Sequence, residues 1–144
     1  MSARRARAPI VIDTDVYGAD LVRGSKLGAA YEPIIVGRPA FISFQTAGEL
    51  RYGAIRRNWG PARMLELEGK IKAAETVHSG PELILVYAQL RADCERIGHA
   101  LSQRHHDADR WVAATALRLG IPLVSNDGIF EDVPGLTLES ITVS

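Results

Sequence analysis

A single cysteine, Cys94, stands in the 144 residues, so no internal disulfide staples the chain and no cysteine-rich zinc site is available. Surplus charge is missing as well. The 17 Lys and Arg balance 17 Asp and Glu, for a formal net charge of zero. Bulk attraction to nucleic acid or to an anionic membrane is thereby excluded, and any polyanion must be held by local clusters. Long apolar runs are absent too. Ile10-Val11-Ile12 ends at Asp13, short of the roughly 7–15 apolar residues of a secretory signal or the about 20 of a membrane-spanning helix. A soluble, cytoplasmic, reducing setting is therefore expected, with no membrane partner. No repeat, low-complexity tract or Gly/Ser/Pro-rich linker divides the sequence, so residues 1–144 read as one domain. A chain of this length buries roughly 68–70% of its unfolded surface, enough for a core without staples. Compact metal loops are lacking: there is no Asp-rich twelve-residue calcium loop and no His-Glu-x-x-His.

What remains is an alternation of short apolar runs and helical periods. Pro9 to Asp13, Ala40 to Phe44, Thr76 to His78, Ile121 to Val124 and Leu136 to Leu138 read as strands. Helices are predicted from Asp20 to Ile35 (divided by Gly24, Gly28 and Pro33), Thr46 to Arg57, Pro61 to Lys72, Pro81 to Gly98 and Asp107 to Leu119. Pro61 suits a first helical turn and Gly120 a C-terminal stop. On the Pro81 helix, Leu83, Val86, Tyr87, Leu90 and Ile97 share one side. Short apolar strands between helices imply an α/β sandwich around a mainly parallel sheet. Such folds place their sites at the C-terminal ends of the strands.

That rule selects four acids. Asp13 ends the first strand, Glu49 follows the second, Asp109 opens the helix before Ile121–Val124, and Asp127 follows that strand. Each has a plain structural alternative. Thr46-x-x-Glu49 is a capping box, Asp109 suits a helix dipole, Asn126-Asp127-Gly128 is turn chemistry, and Asp13 can accept loop amides. Gathered in one pocket, however, they would repel: two carboxylates about 4 Å apart cost roughly 4 kcal/mol at an effective dielectric near 20. Protonation or a cation must relieve that, and hard oxygen ligands suit Mg²⁺ or Mn²⁺.

At these four segments the sequence resembles the PIN-domain nucleases, most closely the VapC-type ribonuclease toxins of toxin–antitoxin modules. The matching strings are Val11-Ile12-Asp13-Thr14-Asp15-Val16, Ala47-Gly48-Glu49-Leu50-Arg51-Tyr52-Gly53-Ala54, Asp109-Arg110-Trp111-Val112-Ala113-Ala114-Thr115-Ala116-Leu117 and Leu123-Val124-Ser125-Asn126-Asp127. Val133-Pro134-Gly135-Leu136 fits the family's ending. The middle, from Asn58 to Gln103, agrees only in length and helical character. The resemblance implies a three-layer α/β/α fold with a short, mainly parallel central sheet. It also implies that Asp13, Glu49, Asp109 and Asp127 are the catalytic, metal-binding acids for one or two Mg²⁺ or Mn²⁺ ions. Asp15 and Asp107 become supporting residues, and the Ser125 hydroxyl would orient a metal-bound water. The activity implied is endoribonuclease cleavage of RNA phosphodiesters, in a homodimer blocked by a small antitoxin protein that often places a basic side chain among the acids.

Since the chain is neutral, arginines near the acids must hold RNA phosphate. Arg51 and Arg110 are the expected clamps, with Arg63 and Arg104 nearby; Arg56 and Arg57 read rather as a solvated helix face, and the Arg4-Arg5-Arg7 arm rather as a frayed tail than as an RNA contact. Trp59 reads either as an exposed recognition residue or as a loop anchor, and Trp111 as core or interface packing. Tyr17, Leu21, Leu27, Tyr31 and Ile34 form a stripe of core type that could instead line a partner groove. His105-His106 beside Asp107 suggests zinc, but adjacent helical residues point apart. Asp93 and Glu95 raise the thiol pKa of Cys94, against a nucleophilic role. Two rivals follow from the same residues. Asp13-x-Asp15 after an apolar strand also resembles haloacid-dehalogenase-type phosphatases with Asp13 as nucleophile, although Tyr17 departs from that pattern. A non-catalytic PIN-fold module binding RNA or protein is the other.

Overall fold

The computed structural model describes residues 8–141, and the Arg4-Arg5-Arg7 arm lies outside them. β1 (Ile10–Ile12) is buried at every residue, as a strand covered on both faces requires. Asp13 turns the chain into α1 (Thr14–Tyr17), followed by a 3₁₀ turn over Gly18–Leu21. Next come α2 (Lys26–Ile35), β2 (Ala40–Ser43), α3 (Phe44–Arg56), α4 (Pro61–Ala73) and β3 (Glu75–Val77). α5 (Pro81–Ile97) and α6 (Asp107–Leu119) then precede β4 (Leu123–Val124) and β5 (Leu138–Glu139).

All five strands are parallel, in the order β3-β2-β1-β4-β5. Register decides which side chains share a face. Val11 lies opposite both Phe41 and Leu123, and this row packs against α5 and α6 with Leu83, Leu90, Cys94, Val112 and Ala116. Ile10, Ile12, Ile42 and Val124 turn to the other face, where Tyr17, Tyr31, Ala47, Ala54, Leu67 and Ile71 from α1 to α4 meet them. Helices on both faces of one sheet make the three-layer α/β/α arrangement that the strand and helix alternation implied. Moving outward from β1, the chain builds β2 and β3 on one side, then returns to build β4 and β5 on the other. The order therefore reverses between β1 and β4, and ligand crevices open at such switch points, beyond the carboxyl ends of the strands.

Three local readings change. Pro33 does not divide its helix: α2 runs through it, starting at a Ser25 cap whose hydroxyl accepts from the Gly28 amide. Pro33 and Ala29 are both exposed, so water can serve the Ala29 carbonyl that proline leaves without an N–H. The Thr46 capping box does not form. Ser43 caps α3 by accepting from the Gln45 amide, and Glu49 consequently sits one turn further in. On α5, Ile97 is 54% exposed, and Cys94 takes the inward place expected of it. The stripe of Tyr17, Leu21, Leu27, Tyr31 and Ile34 is core packing, with Tyr31 wholly buried.

Arg38 locks the edges of this assembly. Its guanidinium donates in parallel to both carboxylate oxygens of Glu139 at 2.9 and 3.0 Å, and to the carbonyls of Ala8 and Ile34. The short β5 strand is thus tied to the end of α2 and the start of β1. Among the described residues, no helix is long and apolar enough to cross a membrane.

Candidate active site at the carboxyl edge of the sheet

Asp13 is the first residue beyond β1, at the switch point. Its amide extends the ladder to the Val124 carbonyl at 2.9 Å, and its carbonyl accepts from the Tyr17 amide at 2.8 Å. The side chain is clamped: one oxygen accepts from the Thr14 amide at 2.8 Å, the other from the Ser125 hydroxyl at 2.8 Å. Only 7% of the residue is exposed. Burial pushes its carboxyl pKa up to about 7, against the two hydrogen bonds that favour the anion, and the charges of Asp15 and Asp109 push the same way. A negative charge is costly here, and a cation is what would relieve it.

Ser125 links the two central strands. Its hydroxyl gives its one proton to Asp13 and accepts from the Asp127 amide at 3.0 Å. The resemblance implies that this hydroxyl orients a metal-bound water; in this structure its proton goes to Asp13. Asp127 is exposed, and one carboxylate oxygen closes its own turn by accepting from the Ile129 amide at 3.0 Å. Behind this loop the buried Tyr31 hydroxyl lies 2.8 Å from the Asn126 side-chain oxygen and 3.2 Å from the Ser125 carbonyl.

Asp109 occupies the first turn of α6, and one of its oxygens lies 2.9 Å from His106 Nδ1. Glu49, half-buried in α3, accepts from Gln45 Nε2 at 3.3 Å. Asp15 is exposed and borders, with Glu49, a groove of about 1510 Å³ between the Gly18–Leu21 turn and α3 and α4. Four arginines (Arg23, Arg56, Arg57, Arg63) and four acids (Asp15, Asp20, Glu49, Glu66) line it, a balance that mirrors the neutral chain. The hydroxyls of Thr14 and Thr46 meet at 2.9 Å and tie α1 to α3, a role for Thr46 in place of the expected cap. Thr14 follows Asp13 directly, and that adjacency is the sequence signal for it.

The structure brings Asp13 and Asp109 within electrostatic reach of each other, and neither Glu49 nor Asp127 is among the charges that act on Asp13. Among the described residues, no three His, Cys, Asp or Glu side chains close on a common point that would hold an ion. The donor chemistry nonetheless fits a hard cation. Mg²⁺ keeps several waters and takes one or two carboxylates plus substrate phosphate, and a cation beside the buried Asp13 would favour its anionic form.

Two expected residues have other work. Arg110 is 1% exposed; its guanidinium donates to the Leu101 and Gln103 carbonyls at 2.8 and 2.6 Å, and also to Tyr87 and Asp107. It therefore cannot serve as a phosphate clamp. Asp107 accepts from the Tyr87 hydroxyl and pairs with Arg110, so it anchors the start of α6. Arg51 remains exposed, forked onto Glu68 at 3.0 and 2.8 Å. Trp111 stacks on Tyr87 at 4.0 Å and meets Phe44 edge-on, the packing role expected of it. Trp59 is a partly buried anchor against the first cluster, with the Arg63 guanidinium 3.8 Å above its ring.

Residues 10–136 match the family model described as PIN domain, and the chain belongs to that family. Comparison with curated proteins by sequence gives no match. Among solved structures, the chain is similar to VapBC2 from Rickettsia felis bound to a promoter DNA fragment, with 20% identity, a TM-score of 0.74, and coverage of 92% of this chain and 98% of that one. It is likewise similar to DNA-bound VapBC from Salmonella typhimurium, at 23% identity and a TM-score of 0.72, again covering 92% of this chain and 98% of that one. FitAcB from Neisseria gonorrhoeae gives 20% identity and a TM-score of 0.70, with coverage of 90% and 95%. At these identities the likeness is one of fold. Family membership sets aside the phosphatase reading, which left Glu49 and Asp109 without a role.

Proposed function

We propose that this protein is a divalent-metal-dependent endoribonuclease and the toxin of a toxin–antitoxin pair. The observation that carries the reading is Asp13: a buried carboxylate at the switch point of a PIN-family sheet, clamped by two hydrogen bonds and crowded by Asp109 and Asp15. Asp13 and Asp109 are the core ligands of Mg²⁺ or Mn²⁺. Glu49 and Asp127 complete the set, for one ion or two. When bound, the ion supplies an activated water and positive charge opposite the phosphoryl oxygens.

The chain's own groups do the rest. Ser125 and the Thr14 amide keep the Asp13 carboxylate from rotating, so its geometry is set before RNA arrives. Arg51 can exchange its exposed, weakly held Glu68 partner for a phosphate. Arg104, exposed beside the α6 start, takes the place that Arg110 cannot. The antitoxin occupies the groove bordered by Asp15 and Glu49, where mixed charge suits a polypeptide better than a polyanion. The similar VapBC2 and VapBC structures, and a similar toxin–antitoxin complex from Klebsiella pneumoniae, support a protein partner of this kind. The working form is a homodimer.

The test is cleavage of a single-stranded RNA by purified wild type, Asp13→Ala and Asp109→Ala, each with Mn²⁺ and with EDTA. Both substitutions and EDTA are expected to lower cleavage by a hundredfold or more. Cleavage that persists in all three would sink the nuclease reading, and RNA binding without any cleavage in wild type would favour a non-catalytic module.

A further inference from the structure

We infer that His106 is a positioning residue for Asp109, an inference that rests on the nuclease reading above. His106 stands at the N-cap of α6 but caps no backbone amide there. Its ring instead turns to Asp109, three residues on, with Nδ1 2.9 Å from Oδ2. A carboxylate only accepts, so Nδ1 carries the proton and donates. Oδ1 of Asp109 is left without a hydrogen-bond partner among the described residues, so it is the oxygen available to a cation.

Both the ring and the backbone before it are held. His105 packs against it at 4.1 Å between centroids, and the buried Arg110 grips the carbonyls of Leu101 and Gln103, the backbone just ahead of His106. The His106 side chain is 22% exposed and that of Asp109 30%, so the contact is partly shielded from water. A helical carboxylate has several rotamers, and a donor on one oxygen selects among them. That is the service hydrogen-bonding partners give to metal-binding carboxylates elsewhere, where losing one costs 10–100-fold in metal affinity or activity. The adjacent histidines had suggested a zinc site; the geometry assigns one of them to an acid instead.

The experiment measures the Mn²⁺ dissociation constant by titration calorimetry, and RNA cleavage across Mn²⁺ concentrations, for wild type, His106→Ala and His106→Asn. Asn can present an amide N–H near the place of Nδ1. His106→Ala is expected to weaken Mn²⁺ binding about tenfold, with cleavage recovering at saturating Mn²⁺. His106→Asn should restore affinity to within about threefold. Wild-type protein provides a second readout that needs no variant: nitrogen NMR of the imidazole should show protonated Nδ1. Unchanged Mn²⁺ affinity in His106→Ala, no rescue by Asn, or an unprotonated Nδ1 overturns the role of His106 while wild-type cleavage stands. A wild type that neither binds Mn²⁺ nor cleaves overturns the nuclease reading, and this inference with it.

Discussion

Asp13 concentrates the tension between stability and function in one side chain. An unfolded aspartate titrates near 3.9, whereas burial raises Asp13 to about 7 in the folded chain. The sign follows from which form the fold prefers. Below pH 4 both states are protonated and nothing is lost; as pH rises through 4 to 7, only the unfolded chain ionises freely, so folded stability falls and then levels off. Three units at about 1.36 kcal/mol each set an upper bound near 4 kcal/mol, and relaxation of the site makes the real loss smaller. Asp13→Asn is therefore expected to raise the melting temperature by several degrees at pH 8 in EDTA and to change it little at pH 4. Mn²⁺ should raise the melting temperature of wild type and not that of the variant, because a ligand stabilises only the state that binds it. Equal melting curves for the two proteins at pH 8 would show that Asp13 bears no such strain. Its position after a buried strand was legible in the sequence. Its partners Ser125 and Asp109 lie far along the chain, and only the sheet brings them near.

At the scale of elements, α6 is the best-read segment, because its start and stop signals are local: acids in the first turn, small residues through the middle, and Gly120 at φ 66° beyond the last turn. α3 was read with the wrong start, since Ser43 and Thr46 both make acceptable caps and only the end of β2 decides between them. The role of Arg110 was not legible either. Its neighbours in sequence make it look like an arginine beside an acid, and nothing local shows that residues 101 and 103 fold back over it. That burial carries a prediction. Arg110→Ala leaves the Leu101 and Gln103 carbonyls without their donor and should cost about 3 kcal/mol, measured by urea unfolding. The residual folded fraction should bind RNA with unaltered salt dependence. A stable Arg110→Ala protein with weakened RNA binding would return Arg110 to the phosphate-clamp role.

For the whole molecule the deciding quantity is charge. Seventeen cations against seventeen anions leave open how such a chain would meet the proposed RNA, and the fold distributes them: Arg38 and Arg110 are buried, Arg23, Arg56, Arg57 and Arg63 are offset by four acids in the groove, and Arg51 stands exposed on Glu68. Of the arginines left for phosphate, Arg51 and Arg104 are the exposed ones closest in sequence to the selected acids. Each phosphate contact on a single strand contributes a slope of about −0.7 to the logarithm of affinity against the logarithm of salt. Two contacts, Arg51 and Arg104, predict a slope near −1.4 for an RNA oligonucleotide, read by fluorescence anisotropy on Asp109→Asn protein so that no cleavage intervenes. Arg51→Ala should bring the slope to about −0.7 and weaken binding similarly for every sequence, the mark of a phosphate contact. A slope steeper than about −3 would mean that the groove arginines, and not the pair beside the acids, carry the RNA. In that case substitution of Arg56 or Arg57, and not Arg51, would flatten it.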